Sequence, residues 1–213
     1  MPNETHGSRR RREILDTAAD LSTSVGLEGL SFSRIAGEVG LTKAGVAAHF
    51  KSKEALQLAV VDAAAGHYAE PLLAAAKSSE PGLPRLRALA LAWLGHLETI
   101  DYRGGCFFGS AGLVFAGRPG PVRDAIAEHT RNLLSMLEEQ ARLALRLGEL
   151  ATDVSPDILA FQIHALAQEA NLRRELLGTE EAFEQARTAL VDLLSRTLRV
   201  EEQRARGRKR SGT

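Results

Sequence analysis

Residues 31–62 read SFSRIAGEVGLTKAGVAAHFKSKEALQLAVVD, and they are the most informative stretch of the chain. Two segments in it, 32–39 and 42–49, carry apolar residues at helical spacing and are only about two turns long. Ser31 and Thr42 precede or open these segments, and their side-chain oxygens can cap the first turn of a helix. Gly40 lies between the segments and tolerates the left-handed conformation that ends a helix. The stretch therefore predicts a short helix, a glycine turn and a second short helix.

Helices of this length are stable only when other parts of the chain hold them. The apolar side chains spaced to do this are Phe32, Ile35, Ala36, Leu41 and Val46. An upstream segment, 14–25, has an apolar stripe at 3.6-residue spacing and ends at Gly26, so it can form a helix that braces the pair. This arrangement is typical of a helix-turn-helix DNA-binding motif. A generic helical hairpin has the same spacing and is the alternative interpretation.

The charges around the second short helix favour DNA. Residues 31–53 contain four basic residues and one acid. Ser52 can cap the helix that follows, so the N–H groups of its first turn and the side chain of Lys53 can face one phosphate. Residues 1–12 add four arginines against one glutamate, and residues 203–213 add five basic residues and no acid. Terminal charge runs of this kind can meet a polyanion, although solvated tails have the same composition.

Residues 10–62 resemble the DNA-binding domain of the TetR family of bacterial transcriptional regulators. The resemblance lies in REIL at 12–15, Gly26, the Ser31 cap, IA at 35–36, VGLTKAGV at 39–46 and HFKSKEAL at 49–56. It implies an all-α fold of about nine helices, with a three-helix helix-turn-helix domain followed by a larger helical ligand-binding and dimerisation domain. We expect the DNA-binding domain with a basic N-terminal arm at 1–54, the larger domain at 55–202 and a disordered basic tail at 203–213.

The resemblance also implies which residues contact DNA. They lie at the start of the second helix, along the recognition helix and at the start of the fourth helix: Ser31, Ser33, Arg34, Thr42, Lys43, Ala44, Gly45, His49 and Lys53. Lys43 can donate to guanine O6 and N7, and Ala44 offers a methyl group to thymine. Thr42, His49 and Lys53 fall at phosphate-contacting positions, which fix register rather than sequence. Ala47 departs from the family, whose members commonly have a tyrosine there.

Beyond residue 62 the chain consists of alanine- and leucine-rich helical patterns separated by loops. The predicted helices are 52–77 with a bend near Pro71, 84–99, 106–116, 122–148, 155–178 and 179–199. In the last two, the resemblance implies a homodimer interface, although an ordinary intramolecular stripe gives the same pattern. The predicted interface residues are Ile158, Phe161, Leu166, Phe183, Leu190, Leu194 and Leu198. Two recognition helices related by a twofold axis require a palindromic operator.

The middle helices are the expected effector pocket, because they contain large aromatic residues next to glycines and a few polar groups. The candidate residues are His67, Tyr68, Trp93, Cys106, Phe107, Phe108, Phe115, Met136, Gln140 and His164. Their composition favours a small, mainly apolar effector. Cys106 has a second interpretation, because a position at a helix N-terminus near Arg103 lowers a thiol pKa and can make a cysteine reactive.

Composition and motifs exclude several other classes of protein. With 213 residues, 44% hydrophobic and 25% charged, the chain is globular, and its longest uncharged run, 104–117, is too short to span a membrane. One cysteine excludes a disulfide framework or multi-cysteine metal site, and no nucleotide-binding or nucleophile-elbow motif occurs. We therefore expect no enzyme, cofactor or metal, and a cytoplasmic location. The predicted function is a ligand-responsive transcriptional repressor. The alternatives are a helical small-molecule carrier and a thiol-based redox sensor or enzyme.

Overall fold

The structure, a computed structural model, describes residues 6–198 of the chain. The described residues form nine α-helices and a short 3-10 helix, Leu27–Gly29, so the predicted all-α fold is confirmed. The helices are α1 (His6–Val25), α2 (Phe32–Glu38), α3 (Lys43–Ala47), α4 (Lys53–Lys77), α5 (Leu83–Thr99), α6 (Phe107–Phe115), α7 (Pro121–Arg146), α8 (Pro156–Leu177) and α9 (Glu181–Arg196). The predicted basic tail at 203–213 lies outside the described residues.

Side-chain caps start three consecutive helices where the sequence predicted them. Ser31 Oγ accepts a hydrogen bond from the N–H of Arg34, and Thr42 Oγ1 accepts one from the N–H of Gly45. Ser52 Oγ accepts one from the N–H of Ala55 at the start of α4. Each cap satisfies an N–H group that has no partner within its helix. Helix α3 is shorter than predicted and ends at Ala47.

The N-terminal arginines belong to a helix and not to a separate arm. Helix α1 begins at His6, eight residues before the predicted start of the apolar stripe, and it includes Arg9–Arg12. Arg10 pairs with Glu13 one turn later, with 2.6 Å between Nη1 and Oε2. Arginine and glutamate are good helix formers, and ion pairs between residues three apart on a helix stabilise it modestly. The prediction of a basic arm before the first helix is therefore wrong for residues 6–12.

The chain divides into two compact units. The first unit comprises Met1–Ala69 and Ile100–Thr130, and the second comprises Glu70–Thr99 and Arg131–Thr213. The predicted boundaries at residues 54 and 202 concern functional domains and stay predictions. The division into compact units falls within α4 and α7, and α4 continues as a helix through Pro71.

The core of the first unit joins the three N-terminal helices to the start of α4 and to α6. Ile14 and Ala18 of α1, Ile35 of α2 and Val46 of α3 are fully buried in it. Phe107 of α6 belongs to the same hydrophobic cluster. Helix α6 is therefore part of the packing that holds the short helices α2 and α3 in place.

In the second unit, α5, α8 and α9 pack against one another. Trp93 of α5 and Phe183 of α9 are among its largest buried side chains. Gly178 ends α8 in the left-handed conformation, with φ of 65°, as the sequence predicted. None of the helices in residues 6–198 is long and apolar enough to cross a membrane.

Candidate functional site

The first turn of α3 faces solvent. Thr42, Lys43 and Ala44 are exposed, whereas Val46, one turn later, is fully buried in the core of the first unit. The buried face fixes the helix and the capped end leaves its leading residues free to contact a ligand. An exposed, polar helix start on a packed scaffold is the geometry that base reading in the major groove requires.

The start of α2 presents a second set of predicted contacts. Ser31, Ser33 and Arg34 are exposed, while Ile35 and Ala36 are buried against the rest of the unit. The N-terminal ends of α2 and α3 are capped by Ser31 and Thr42 and carry the positive ends of the helix dipoles, which favour anions. The predicted residues on these two helices are therefore accessible.

Gly45 and Ala47 complete α3. Gly45 is half-buried, and a Cβ added to it would lie 3.2 Å from Thr42 Oγ1. The glycine thus leaves room for the Thr42 hydroxyl to cap the helix. Ala47, at the position where the family resemblance implies a tyrosine, is also half-buried. Its methyl group cannot supply the hydroxyl that a tyrosine would bring.

The start of α4 is tied to the 3-10 helix that precedes α2. Lys53 Nζ donates a hydrogen bond to the carbonyl oxygen of Glu28 at 2.6 Å, and Gln57 Nε2 donates to the carbonyl oxygen of Leu27 at 3.0 Å. Lys53 is exposed. An ammonium group has three donors, so this bond leaves Lys53 able to contact a phosphate as well.

An arginine of α1 lies beside the residues that follow α3. The Arg11 guanidinium is 5.3 Å from the centre of the Phe50 ring, a cation–π contact. Phe50 is buried, and the ring of its half-buried neighbour His49 lies 6.3 Å away, centre to centre. The basic residues of α1 are thus linked to the end of the predicted DNA-contacting region.

Sequence reasoning considered Arg103, in the loop between α5 and α6, only as a neighbour of Cys106 and missed its contacts with α1 and α2. Its guanidinium pairs with Asp20 of α1 and with Glu38, the last residue of α2. These partners lie 83 and 65 positions away in the chain. No local pattern links residues so far apart, so no sequence signal pointed to this contact.

The predicted effector residues fall into two clusters, one in each unit. In the first unit, Tyr68 meets Phe108 edge to face with ring centres 5.5 Å apart, and Phe107 lies 5.2 Å from Phe108. The Tyr68 hydroxyl donates to the carbonyl oxygen of His129, and burial raises the pKa of Tyr68 to about 12. Phe115 is buried, whereas His67 is exposed and pairs with Asp16.

Cys106 is in the first unit and is only 3% exposed. It occupies the N-cap position of α6, where its Sγ accepts a hydrogen bond from the N–H of Gly109 at 3.4 Å. The predicted helix N-terminus is confirmed. The burial of the sulfur argues against the reactive-thiol interpretation, because a thiol must be reached before it can react with a reagent from solution.

The second cluster lies around Trp93 in the second unit. The His164 ring stacks on Trp93 with ring centres 6.0 Å apart and planes 8° apart, and burial lowers the pKa of His164. Met136 is half-buried. Gln140 Oε1 accepts a hydrogen bond from the N–H of Gly82. These contacts hold the loop before α5 and the interior of the unit.

Four of the predicted interface residues lie inside the second unit. Phe183, Leu190, Leu194 and Leu198 are buried within a single chain, so they cannot form a surface for a partner. They form an ordinary intramolecular stripe, which was the alternative interpretation of the sequence pattern, and α9 packs against α5 and α8. The prediction of these four as interface residues is wrong. Only the α8 residues of the predicted set remain available.

The exposed apolar face of this unit lies on α8 and not on the buried stripe of α9. Phe161 is 68% exposed, Ile158 is 56% exposed and Leu166 is half-buried. A groove of about 470 Å³ runs between α8 and α9 on this face. Its lining residues are Phe161, Gln162, Ala165, Leu166, Glu169, Ala189, Asp192, Leu193 and Arg196.

Two family models match the chain. The model described as bacterial regulatory proteins of the tetR family matches residues 14–60, and the one described as the tetracyclin repressor-like C-terminal domain matches residues 82–190. The second match alone covers half of the chain. No curated protein sequence matches significantly.

Solved structures of similar fold cover nearly the whole chain. A TetR transcriptional regulator from Chloroflexus aurantiacus is 24% identical, with a TM-score of 0.81, and the match covers 92% of this chain and 99% of that one. The ketosteroid regulator KstR2 of Mycobacterium tuberculosis is 18% identical, with a TM-score of 0.69 and coverage of 89% and 95%. AibR, solved with isovaleryl coenzyme A and operator DNA, is 24% identical, with a TM-score of 0.65 and coverage of 85% and 96%.

The two family models match the chain in order, the first over α1 to α4 with the exposed helix starts and the second over the helices that follow. The chain belongs to the TetR family and is a transcriptional regulator rather than an enzyme.

Proposed function

We propose that this regulator is a repressor that binds a palindromic operator as a homodimer and is released by a small, mainly apolar effector. The observation that carries the proposal is the exposed first turn of α3, where Thr42, Lys43 and Ala44 stand free on a helix fixed by buried Val46. Lys43 reads guanine and Ala44 contacts thymine. Ser31, Ser33, Arg34, Thr42, Gly45, His49 and Lys53 complete the contact surface, mainly with the DNA backbone.

The dimer is proposed to form through the exposed apolar face of α8 and α9. Phe161 and Ile158 are large apolar side chains that remain in water in the isolated chain. Contiguous exposed apolar surface on a soluble protein marks an interaction site. A twofold axis through this face pairs two α3 helices, and the operator is then a palindrome with half-sites one helical turn or a multiple apart.

The effector is proposed to contact the aromatic residues of a single cluster, either the one around Phe108 in the first unit or the one around Trp93 in the second. The rings of each cluster are mainly apolar and have few hydrogen-bonding groups beside them, which suits an apolar ligand. Two structural relatives are a ketosteroid transcriptional regulator and a regulator solved in complex with isovaleryl coenzyme A and operator DNA. An effector releases the operator only if it binds the two states of the protein with different affinities.

A gel-shift assay with the DNA flanking the protein's own gene tests the proposal. We expect a sequence-specific complex whose stoichiometry is two chains per site. Lys53→Ala should weaken binding to every sequence and reduce the slope of log affinity against log salt by about 0.9 for the one lost phosphate contact. Lys77→Ala is the matched control, because Lys77 is an exposed lysine in the last turn of the same helix.

Failure of the wild-type protein to prefer any palindrome from its own locus would overturn the proposal. So would a Lys53→Ala variant with the same affinity and salt slope as Lys77→Ala. Addition of small apolar compounds to the complex then tests release, with an expected loss of affinity of about 5- to 150-fold for a true effector.

A further inference from the structure

We propose that Arg103 is a positioning residue for DNA reading, which holds the end of α2 against α1 and so sets where α3 begins. The inference rests on the proposed function, since it concerns how the DNA-contacting helices are aligned. It assigns a role to the loop of residues 101–106, which lies outside the helix-turn-helix segment.

One guanidinium group joins two helices. Arg103 Nε lies 3.0 Å from Asp20 Oδ2 of α1, and Nη2 lies 2.6 Å from Glu38 Oε2 of α2. Nη1 donates a second hydrogen bond to Glu38 Oε1 at 3.3 Å, and the backbone N–H of Arg103 donates to Asp20 Oδ1 at 2.8 Å. The contact with Glu38 is therefore bidentate, and the loop is held by both its backbone and its side chain.

The geometry requires arginine. A planar guanidinium presents several N–H groups in a fixed fork and can bind two carboxylates at once, whereas a lysine ammonium is a point charge on a flexible stem. The hydrogen bonds from Arg103 lower the pKa of Glu38, so this carboxylate is charged at neutral pH. Three charged groups acting together form a network rather than an isolated surface pair.

The backbone next to Arg103 packs directly against the backbone of α1 at Thr23. The N–H of Gly104 donates to Thr23 Oγ1 at 2.9 Å, and any Cβ at residue 104 would clash with the carbonyl oxygen of Thr23. Gly105 follows with φ of 69°, in the left-handed region that favours glycine. The two glycines thus allow the loop to lie directly on the last turns of α1.

Because Glu38 lies at the end of α2, its contact with Arg103 can affect the position of α3. Glu38 ends α2, and only four residues separate it from Lys43, the first residue of α3. On the other side, Arg103 is three residues from Cys106, which caps α6. A shift of the start of α6 therefore pulls on the end of α2, and it changes the direction in which Lys43 points.

The effect of Glu38→Gln on DNA binding distinguishes a role of the Glu38 charge from a role of Glu38 as an anchor of α2. If Glu38 acted only through its charge, its removal would strengthen DNA binding, because a carboxylate repels phosphates. If it anchors α2, the same change weakens binding. We expect Arg103→Gln and Glu38→Gln each to weaken operator binding about 3- to 10-fold, and the double variant to be no weaker than Arg103→Gln alone.

Two further readouts and a control variant separate positioning from contact. The salt slope of binding should stay at the wild-type value in Arg103→Gln, because a lost phosphate contact would lower it by about 0.9. Hydrogen exchange without DNA should become faster at the amides of α2 and the following turn. Arg123→Gln is the matched control, since Arg123 is an exposed arginine of the first unit whose ion-pair partner within residues 6–198 is its neighbour Asp124.

A neutral substitution completes the test. Gly104→Ala leaves every charge in place but forces the loop away from Thr23, and we expect it to weaken binding as Arg103→Gln does. If Gly104→Ala does not fold, Arg103→Lys takes its place, because it keeps the charge without the fork and should fall between wild type and Arg103→Gln.

The inference is overturned if Glu38→Gln binds DNA more tightly than wild type, or if Arg103→Gln equals Arg123→Gln in affinity and in exchange. A wild-type protein that binds no DNA would instead refute the proposed function. In that case the exchange measurement still decides whether Arg103 holds α2.

Discussion

The helix pairs α2–α3 and α8–α9 were both expected to contact a partner. The predicted contact residues are exposed at the start of α3 but buried in α9. In α2–α3, Thr42, Lys43 and Ala44 are exposed as predicted. In α9, the predicted stripe is buried inside the chain, whereas Phe161 of α8, which belongs to the same predicted set, is on the surface. An apolar stripe shows that a face is buried but not what buries it. A capped helix start that carries a charged side chain is predicted to lie at the surface, because charged groups are rarely buried without partners.

The largest expected effect separates two phenylalanines of the α8–α9 pair. Phe183 is fully buried, with the Arg174 guanidinium 4.9 Å from its ring centre, so Phe183→Ala should lower the free energy of unfolding by about 3–5 kcal/mol. Phe161→Ala should change the stability of the single chain by less than about 0.5 kcal/mol but weaken self-association by about 2 kcal/mol. Urea unfolding at low concentration and sedimentation measure the two effects. Equal loss of stability in both variants would contradict the distinction between the two faces.

The next effect concerns what α3 reads. Lys43→Ala should relax the preference at one base pair by about 1–3 kcal/mol, because a bidentate contact with guanine is lost. Binding to operators with single base changes measures this preference. Leu193→Ala, in the groove on α9, should leave the base preference unchanged even where it lowers affinity. If Lys43→Ala keeps the wild-type base preferences, Lys43 of α3 does not read the operator sequence.

A smaller effect tests the cap that leaves the α3 start exposed. Thr42→Ala removes the acceptor of the Gly45 N–H and should cost about 1 kcal/mol of stability. Thr42→Ser retains the oxygen and should stay close to wild type. Thermal or urea unfolding of the three proteins gives the comparison. If alanine and serine behave alike, the hydroxyl does not stabilise the helix.

The smallest effect is a pH dependence in the second unit. Burial lowers the pKa of His164 below 6.5, so the unfolded chain binds a proton more readily than the folded one. Stability from this residue is complete above pH 6.5 and is lost as the pH falls through the folded value. Unfolding curves between pH 8 and pH 5 should therefore show a steeper decline in wild type than in His164→Gln. Parallel declines would show that His164 is not linked to folding.

The short-range features of the fold were predictable from sequence because they depend on neighbouring residues. The caps at Ser31, Thr42 and Ser52 and the stop at Gly178 each follow from one residue and its near neighbours. The extension of α1 to His6 was missed because its first residues lack the apolar spacing that marks a helix. Charged helix formers extend a helix without leaving that signal.

The long-range features were not predictable in the same way. The stripes of Phe183 and Phe161 are both apolar at helical spacing, and only tertiary packing decides which one faces inward. The contact between Arg103 and Glu38 joins residues 65 positions apart, so it arises from the fold and not from a motif. The DNA contacts themselves remain predictions that rest on the motif and on the accessibility of its residues.

The packing of α6 with the N-terminal helices bears on how such regulators can be engineered. Phe107, Ala111 and Phe115 share a core with Ile14 and Val46, although they follow Val46 by more than sixty positions. A chimera spliced near residue 60 would give its new N-terminal segment a foreign α6 to pack against. A transplant that keeps operator choice intact therefore has to carry residues 101–126 together with residues 6–69.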